Sequence, residues 1–403
     1  MAVFFPRMAP FATHSLSVSD GHALAIFEYG TPTGVPIVYL HGGPGGSTPP
    51  DVPRLFDPEV WRVVCFDQRG CGRSTCADRL RGNTTEHLLS DVEAVRTALS
   101  ITSWGVMGSS YGSLLAALYA ARNPASVQWV LLHGVFMGSD AEVAWLFEPD
   151  GAARFYPQQW AEVKVGATLA GDPCDEAEAA APSSEMMLAE AAVASLPDAF
   201  AGRPALLAAY HALLAGPTVP RAHPPPSASA DEEQPSLAPA PAEGASPAMA
   251  QVAVPAASLA AARALARWED EMETLVPQPA THEASELLAS AQIAVHHFMH
   301  GCFMPADGAL PELRAARQTL EVIPCAIVHG RHDVLCPPHT ASALHAAWPH
   351  STLRIVEAGA HALFEKPMRV AAQLCLLELR EGRGGAGQPA AAEDGGKAKK
   401  RRR

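Results

Sequence analysis

Two rhythms of apolar residues divide this chain. In the first third the hydrophobic positions fall in short runs bounded by turn residues, the pattern expected of strands. Residues 16–29 alternate around Asp20-Gly21 and predict a β-hairpin. The apolar runs at 36–40, 61–66 and 127–132 predict buried strands. Between them, Leu88, Val92, Val95 and Leu99 recur at helical spacing, and Thr85 is the expected cap of a helix over 84–99. Strands alternating with helices predict an α/β fold with a mostly parallel central sheet flanked by helices.

The rhythm changes after about residue 138. From there to about 320 the chain is alanine-rich, with helix-like stretches at 186–196, 259–275 and 283–299. Within it, residues 217–255 hold ten prolines and ten alanines in 39 positions. Such a segment buries too little apolar surface to offset its ordering entropy, so it is expected to be a disordered loop. The earlier rhythm resumes with strands expected at 325–329 and 353–356 and helices at 338–348 and 367–379. The expected organisation is a core of residues 1–138 and 321–381, with residues 139–320 inserted as a helical cap. Residues 382–403 end with six charges in the last seven positions. They are expected to form a disordered basic tail, with a nuclear-entry patch as the alternative.

Bulk properties narrow the function classes. Of 403 residues, 48% are hydrophobic, enough for a sizeable core. A formal charge of −13 argues against a nucleic-acid surface. Eight cysteines without a tight cluster fit reduced thiols in a cytosol-like compartment. The apolar start of the chain is too short for a signal peptide, and no run of 18 apolar residues suggests a membrane span. A soluble, cytoplasmic protein is the expectation.

Chemistry enters at Gly108-Ser-Ser-Tyr-Gly112, a G-x-S-x-G pattern between an apolar strand and a small-residue helical run. That context predicts a tight turn presenting Ser110 as a nucleophile. A serine hydroxyl is a weak nucleophile until a histidine takes its proton and a carboxylate orients that histidine. Asp333 follows the strand expected at 325–329, and His361 follows the strand expected at 353–356. The chain order Ser, Asp, His and these strand-end positions are those of an α/β-hydrolase. His41-Gly-Gly-Pro-Gly-Gly46 lacks the Lys-Ser/Thr of a phosphate loop. Read as an oxyanion loop, it would set the backbone N–H of Gly43 beside that of Tyr111, each donor typically worth ~3–4 kcal/mol of barrier. His296 and His300 share a helical face, but without an H-E-x-x-H pattern a zinc site is not expected. No cofactor is expected either.

With these residues in place, the chain resembles the proline iminopeptidases (prolyl aminopeptidases) of the α/β-hydrolase superfamily. The resemblance rests on Asp20-Gly-His22, the glycine loop at 41–46, and Phe66-Asp-Gln-Arg-Gly-Cys-Gly-Arg-Ser-Thr75. It extends to Asn83-Thr-Thr85 with His87-Leu88, the serine turn, Gly330-Arg331 with Asp333, Cys336-Pro337, and Ala358-Gly359 with His361. It implies release of an N-terminal proline from a peptide or small amide with a free amino end. Ser110, Asp333 and His361 would be the triad, and Gly43 and Tyr111 the oxyanion donors. Trp268-Glu-Asp270 matches a family segment whose glutamate holds the substrate amine, which carries that role to Glu269.

Three positions depart from the family pattern. Ala294 stands where a second amine-binding glutamate is usual, His133 where an arginine is usual, and Tyr111 where a tryptophan follows the nucleophile. The first two remove charge from the specificity pocket and leave the triad intact. An esterase or amidase of different acyl preference therefore stays open beside the aminopeptidase, and so does a non-catalytic binding protein on the same fold.

Overall fold

The computed structural model describes residues 4–168, 203–214, 237–239, 255–276 and 283–382. β1 (Ala12–Val18) and β2 (His22–Gly30) form the expected hairpin, with Val18 opposite His22. They are followed by β3 (Val35–Leu40), β4 (Trp61–Asp67), the short β5 (Thr75–Cys76) and α1 (Thr85–Ala98). Next come β6 (Trp104–Ser109), α2 (Tyr111–Arg122) and β7 (Val127–His133). The chain then turns helical with α3 (Asp140–Phe147), α4 (Pro157–Thr168) and α5 (Arg203–Leu214). After β8 (Leu237–Pro239) follow α6 (Ala256–Glu273), α7 (Ala284–Met299), α8 (Leu310–Ala315) and α9 (Arg317–Leu320). β9 (Cys325–Gly330), α10 (Pro338–Ala347), β10 (Thr352–Val356) and α11 (Lys366–Arg380) close the chain.

The strands join in the order β10-β9-β7-β6-β3-β4-β2-β1-β8, with β5 on β2. From β4 to β10 every pairing is parallel, while β1, β2, β5 and β8 pair antiparallel. This is the α/β-hydrolase arrangement, and both sheet faces are covered. On one face Trp61 and Trp129 meet edge-on and pack with Met107, Leu131, Val328, Met368 and Leu376 beneath α11. On the other, α2 is buried from Tyr111 to Ala120 between the sheet and its neighbouring helices. Burial on all sides explains why α2 is apolar all round rather than amphipathic.

Two local expectations need correction. Thr84, not Thr85, caps α1 through a side chain that accepts from the His87 N–H. Thr85 is the first helical residue and is fully buried, with its hydroxyl spent elsewhere. Within the proline- and alanine-rich stretch, Leu237–Pro239 is not a loop but a strand, paired with His14, Ser15 and Leu16 of β1. Extended backbone suits proline at a sheet edge, where its missing N–H leaves no inner partner unmet. Apart from Pro255, the rest of that stretch, the helix expected at 186–196 and the tail beyond residue 382 lie outside the described residues.

The parallel registers decide where chemistry can gather. Leu40 pairs with Gly108, Ser109 with His133, His133 with Val328, and Val356 with Gly330. The strands therefore run out side by side, and the loops starting at His41, Ser110, Gly134, Arg331 and Glu357 rise from one edge. Such carboxyl ends are where ligands bind in sheets of this kind.

Candidate active site

Ser110 occupies the turn between β6 and α2 with φ 55° and ψ −126°, a conformation that L-residues seldom adopt. Strain of this kind persists where neighbours enforce it. The Ser110 N–H donates to the His133 carbonyl at 2.9 Å, and its own carbonyl accepts from the Ser113 N–H at 2.8 Å. The two glycines of the turn are sterically required. A Cβ on Gly112 would run into the Leu40 carbonyl, and one on Gly108 into the Gly112 carbonyl. Ser110 is thus forced out of the sheet onto the ligand-facing edge.

The glycine loop packs directly against this turn. A Cβ on Gly42 would come within 2.8 Å of Ser110 Cβ, so the backbone approaches as closely as glycine permits. His41 secures the loop from below. Its Nε2 accepts from the Gln68 N–H at 2.9 Å, its Nδ1 donates to the Gly42 carbonyl, and its carbonyl accepts from Gln68 Nε2. Burial lowers its pKa, in keeping with a neutral ring whose Nε2 is an acceptor. The charged run after β4 is framework. Asp67 receives the Thr48 and Arg73 N–H groups, and Arg69 makes a two-pronged pair with Asp91 at 2.6 and 2.8 Å.

Tyr111 opens α2, so its N–H is one of the helix's unspent donors facing the site. Its ring is buried and its hydroxyl lies 2.8 Å from Thr85 Oγ1 and 3.0 Å from His297 Nδ1. Thr85 also donates to the Cys302 carbonyl, while His297 Nε2 meets Asn83 Oδ1 at 3.2 Å. The residue after the nucleophile is therefore tied to α1, to α7 and to the turn beyond α7.

Asp333 and His361 come together from the loops after β9 and β10. His361 Nδ1 donates to Asp333 Oδ2 at 2.7 Å, and both side chains are buried. Asp333 Oδ1 accepts from the Cys336 N–H at 2.8 Å, and His329 Nε2 stands 3.4 Å from Asp333 Oδ2 while donating to the Cys336 carbonyl. Burial pushes the His361 pKa down, but the Asp333 charge and hydrogen bond outweigh it, and the net shift is upward. For Asp333 burial pushes upward and His361 outweighs it, holding the carboxylate ionised.

The structure joins Asp333 to His361 and brings Ser110 to the same edge. Among the described residues no hydrogen bond links Ser110 to His361. The Ser110 hydroxyl lies beside the Cys336 thiol, whose pKa burial drives far up and this hydroxyl draws slightly back. Gly134, directly after the residue that binds Ser110 N–H, lies under the His361 ring. His133 is buried with its ring centroid 6.1 Å from that of His361, and neither of its ring nitrogens is hydrogen bonded. Burial and then the His361 charge lower its pKa to about 3, so it supplies no cation.

Glu269 lies on α6, near enough to His361 for their charges to interact. That helix buries Ala261, Ala262, Leu265, Trp268 and Met272 against its neighbours, at the spacing of an amphipathic helix. Burial, then the charges of Asp270 and Glu273, push the Glu269 pKa up to about 8, and His361 pulls it back. Ala294, on α7, is buried, and the preceding Ile293 presses on the glycine loop at Gly45. Among the described residues no group of histidines, cysteines and carboxylates could hold a metal ion, and no helix is long and apolar enough to cross a membrane. His296, His300 and Phe303 instead pack ring against ring. The seven described cysteines are free thiols.

Sequence reasoning missed the Thr85–Tyr111–His297 network and the contact of His329 with Asp333. His329 could have been suspected, since it sits near the end of a buried strand, four residues before the loop aspartate. The Tyr111 network joins segments far apart in the chain and left no local signal.

A family model of the alpha/beta hydrolase fold matches residues 35–172. A proline iminopeptidase of Xylella fastidiosa is 34% identical over 94% of this chain and 99% of its own length. One from Neisseria meningitidis is 33% identical over 89% and 93%. One from Arabidopsis thaliana is 33% identical over 90% of this chain and 78% of its own length. Among solved structures, a bacterial membrane phospholipase A superimposes with a TM-score of 0.50 at 15% identity, covering 92% of this chain and 86% of that one. That last likeness is one of fold alone. Identity above 30% along nearly the whole chain, on a sheet whose strand ends carry Ser110, Asp333 and His361, makes this protein a member of the proline iminopeptidase family of α/β-hydrolases.

Proposed function

We propose that this protein is a serine aminopeptidase that releases N-terminal proline from peptides. The 2.7 Å bond between His361 Nδ1 and Asp333 Oδ2, beside a serine held in the strained turn, carries the reading. It leaves His361 Nε2 free to act as a base, and the named relatives supply the substrate class. Ser110 Oγ attacks the prolyl carbonyl as His361 Nε2 takes its proton, and Asp333 stabilises the imidazolium. The oxyanion is held by the Gly43 and Tyr111 N–H groups. His361 then gives the proton to the departing amine, leaving a prolyl ester on Ser110. Water, deprotonated by His361, splits that ester. In this reading the bond between Ser110 and His361 forms when substrate fills the site, since catalytic bonds are often made only in the complex.

In this reading residues 1–138 and 321–381 are the catalytic core and the helices within 139–320 a cap over it. Glu269 receives the substrate's ammonium group. The enzyme works without a cofactor on soluble peptides in the cytoplasm. A second reading, an esterase or amidase with another acyl preference, draws on buried Ala294 and on the uncharged ring of His133. Comparing kcat/KM on a proline arylamide and on a short acyl ester separates the two. Preference for the ester by orders of magnitude would end the aminopeptidase reading. Ser110→Ala should abolish both activities, and persistence of either would remove the serine mechanism.

A further inference from the structure

A triad aspartate has to be held still, because a carboxylate that swings takes the histidine with it. Asp333 stands on a loop, which has no ladder of its own to steady it. The side chain that meets it from the sheet is His329.

His329 is the last residue but one of β9 and is fully buried. Both ring nitrogens are engaged. Nδ1 accepts from the Val135 N–H at 3.1 Å, which leaves the proton of the neutral ring on Nε2. Nε2 donates to the Cys336 carbonyl at 2.6 Å and stands 3.4 Å from Asp333 Oδ2. The Cys336 N–H in turn donates to Asp333 Oδ1 at 2.8 Å. One imidazole thus fixes the residue that grips one carboxylate oxygen and stands beside the other. That other oxygen is the one that accepts from His361 Nδ1 at 2.7 Å.

The opposite side of the ring holds the loop beneath His361. Val135 directly follows Gly134, where an added Cβ would stand 2.8 Å from His361 Cε1. The Gly134 N–H donates to the Val328 carbonyl at 3.3 Å, so this loop is tied to β9 twice. His329 therefore links the loop under the base to the loop that carries the acid. Asp333, His361, His133 and His339 are the titratable groups whose charges it feels or perturbs, and burial lowers its pKa, in keeping with a neutral ring that both donates and accepts.

We propose that His329 is a positioning residue of the triad, which acts through Cys336 and Asp333 to set the angle at which the carboxylate meets His361. The proposal rests on Ser110, Asp333 and His361 working as described above.

Two amides separate the roles of the ring. In His329→Asn the carboxamide oxygen is as many bonds from Cα as Nδ1, so the side chain still accepts from Val135 but falls short of Cys336. In His329→Gln the carboxamide nitrogen lies as far out as Nε2 and still reaches Cys336. Each variant gives up one buried hydrogen bond, so both should lower the thermal midpoint alike. kcat and KM on a proline arylamide are read well below those midpoints, per mole of folded enzyme. His329→Asn should lower kcat about ten- to a hundredfold with KM within about threefold of the unmodified value. His329→Gln should keep kcat within about threefold. A kcat within about twofold of the unmodified value in His329→Asn would overturn the proposal. So would a loss of about tenfold or more in His329→Gln, a result that stands even where the asparagine variant does not fold. A double-mutant cycle shows whether the effect passes through Asp333. Added to Asp333→Asn, His329→Asn should cost less than about twofold more, and a further loss of about tenfold would overturn the proposed route. An Asp333→Asn enzyme as fast as the unmodified one would remove the triad itself, a result distinct from the others.

Discussion

Gly134 lies so close beneath His361 that a Cβ added there would stand 2.8 Å from His361 Cε1 and 3.1 Å from its Nδ1. The residue also has φ 55°, in the left-handed region. Gly134→Ala should therefore push the imidazole off its bond to Asp333. A misplacement of about 1 Å at a catalytic group can cost about a hundredfold in rate. We expect kcat to fall ten- to a hundredfold while the thermal midpoint drops by only a few degrees. Unchanged kcat would mean that His361 has room its neighbours do not suggest.

The pairing of His361 with Asp333 fixes the sign of the pH dependence. Proton abstraction needs neutral His361, and its raised pKa places the acid limb of kcat/KM above the ordinary histidine value of about 6.5. In Asp333→Asn the largest upward push is gone, and burial is opposed only by Glu273 and Glu269. The acid limb should then move to lower pH, with kcat reduced about 10⁴-fold. A pH–rate profile of both forms checks this, and a limb that moves upward in the variant would contradict the assignment of the base.

How far the sequence foretold this site depends on whether a residue's neighbours are local. Positions 110, 333 and 361 each follow an apolar run, and β6, β9 and β10 end where those runs end. The cap of α1 was misread because Thr84 and Thr85 are equally good capping residues, and only the buried partner of Thr85 separates them. β8 was hidden because its three residues carry no period of their own and are extended by pairing with β1. The bond from the Ala362 N–H to the Glu273 carbonyl gave no signal either, since the two residues lie 89 apart in the chain.

The Tyr111 hydroxyl offers a measure of how α7 is held against α1 and α2. Tyr111→Phe removes its bonds to Thr85 and His297 and leaves His297 Nδ1 buried without a partner. An unsatisfied buried group costs about 1–3 kcal/mol. The urea midpoint should fall accordingly, and a neutral result would show that the ring alone fixes the contact.

Arg69, in the turn after β4, and Asp91, on α1, form a buried pair, and burial drives the Asp91 pKa up against the pull of Arg69. Removing one partner strands the other charge, so Asp91→Ala should destabilise the fold by about 3–5 kcal/mol. The double variant Arg69→Met with Asp91→Leu should lose less than the single one, because neither charge remains. Denaturation of the three proteins in urea decides it. A double variant worse than the single would show that the two-pronged geometry itself holds the 67–74 run in place.

Glu269 leads to the last expectation. With its pKa pushed up to about 8 by burial, Asp270 and Glu273, its carboxyl is mostly protonated at pH 7 in the empty site. Binding a cation favours the carboxylate, so substrate uptake releases a proton and becomes tighter as pH rises toward 8. The substrate's own amine titrates in the same range with the opposite effect. Comparing the enzyme with Glu269→Gln on one prolyl substrate cancels that second titration. The ratio of variant KM to unmodified KM should climb toward tenfold per pH unit below about pH 8 and level off above it. A ratio that stays flat from pH 6 to 9 would mean that Glu269 is ionised throughout and that its surroundings hold the charge without help from the substrate.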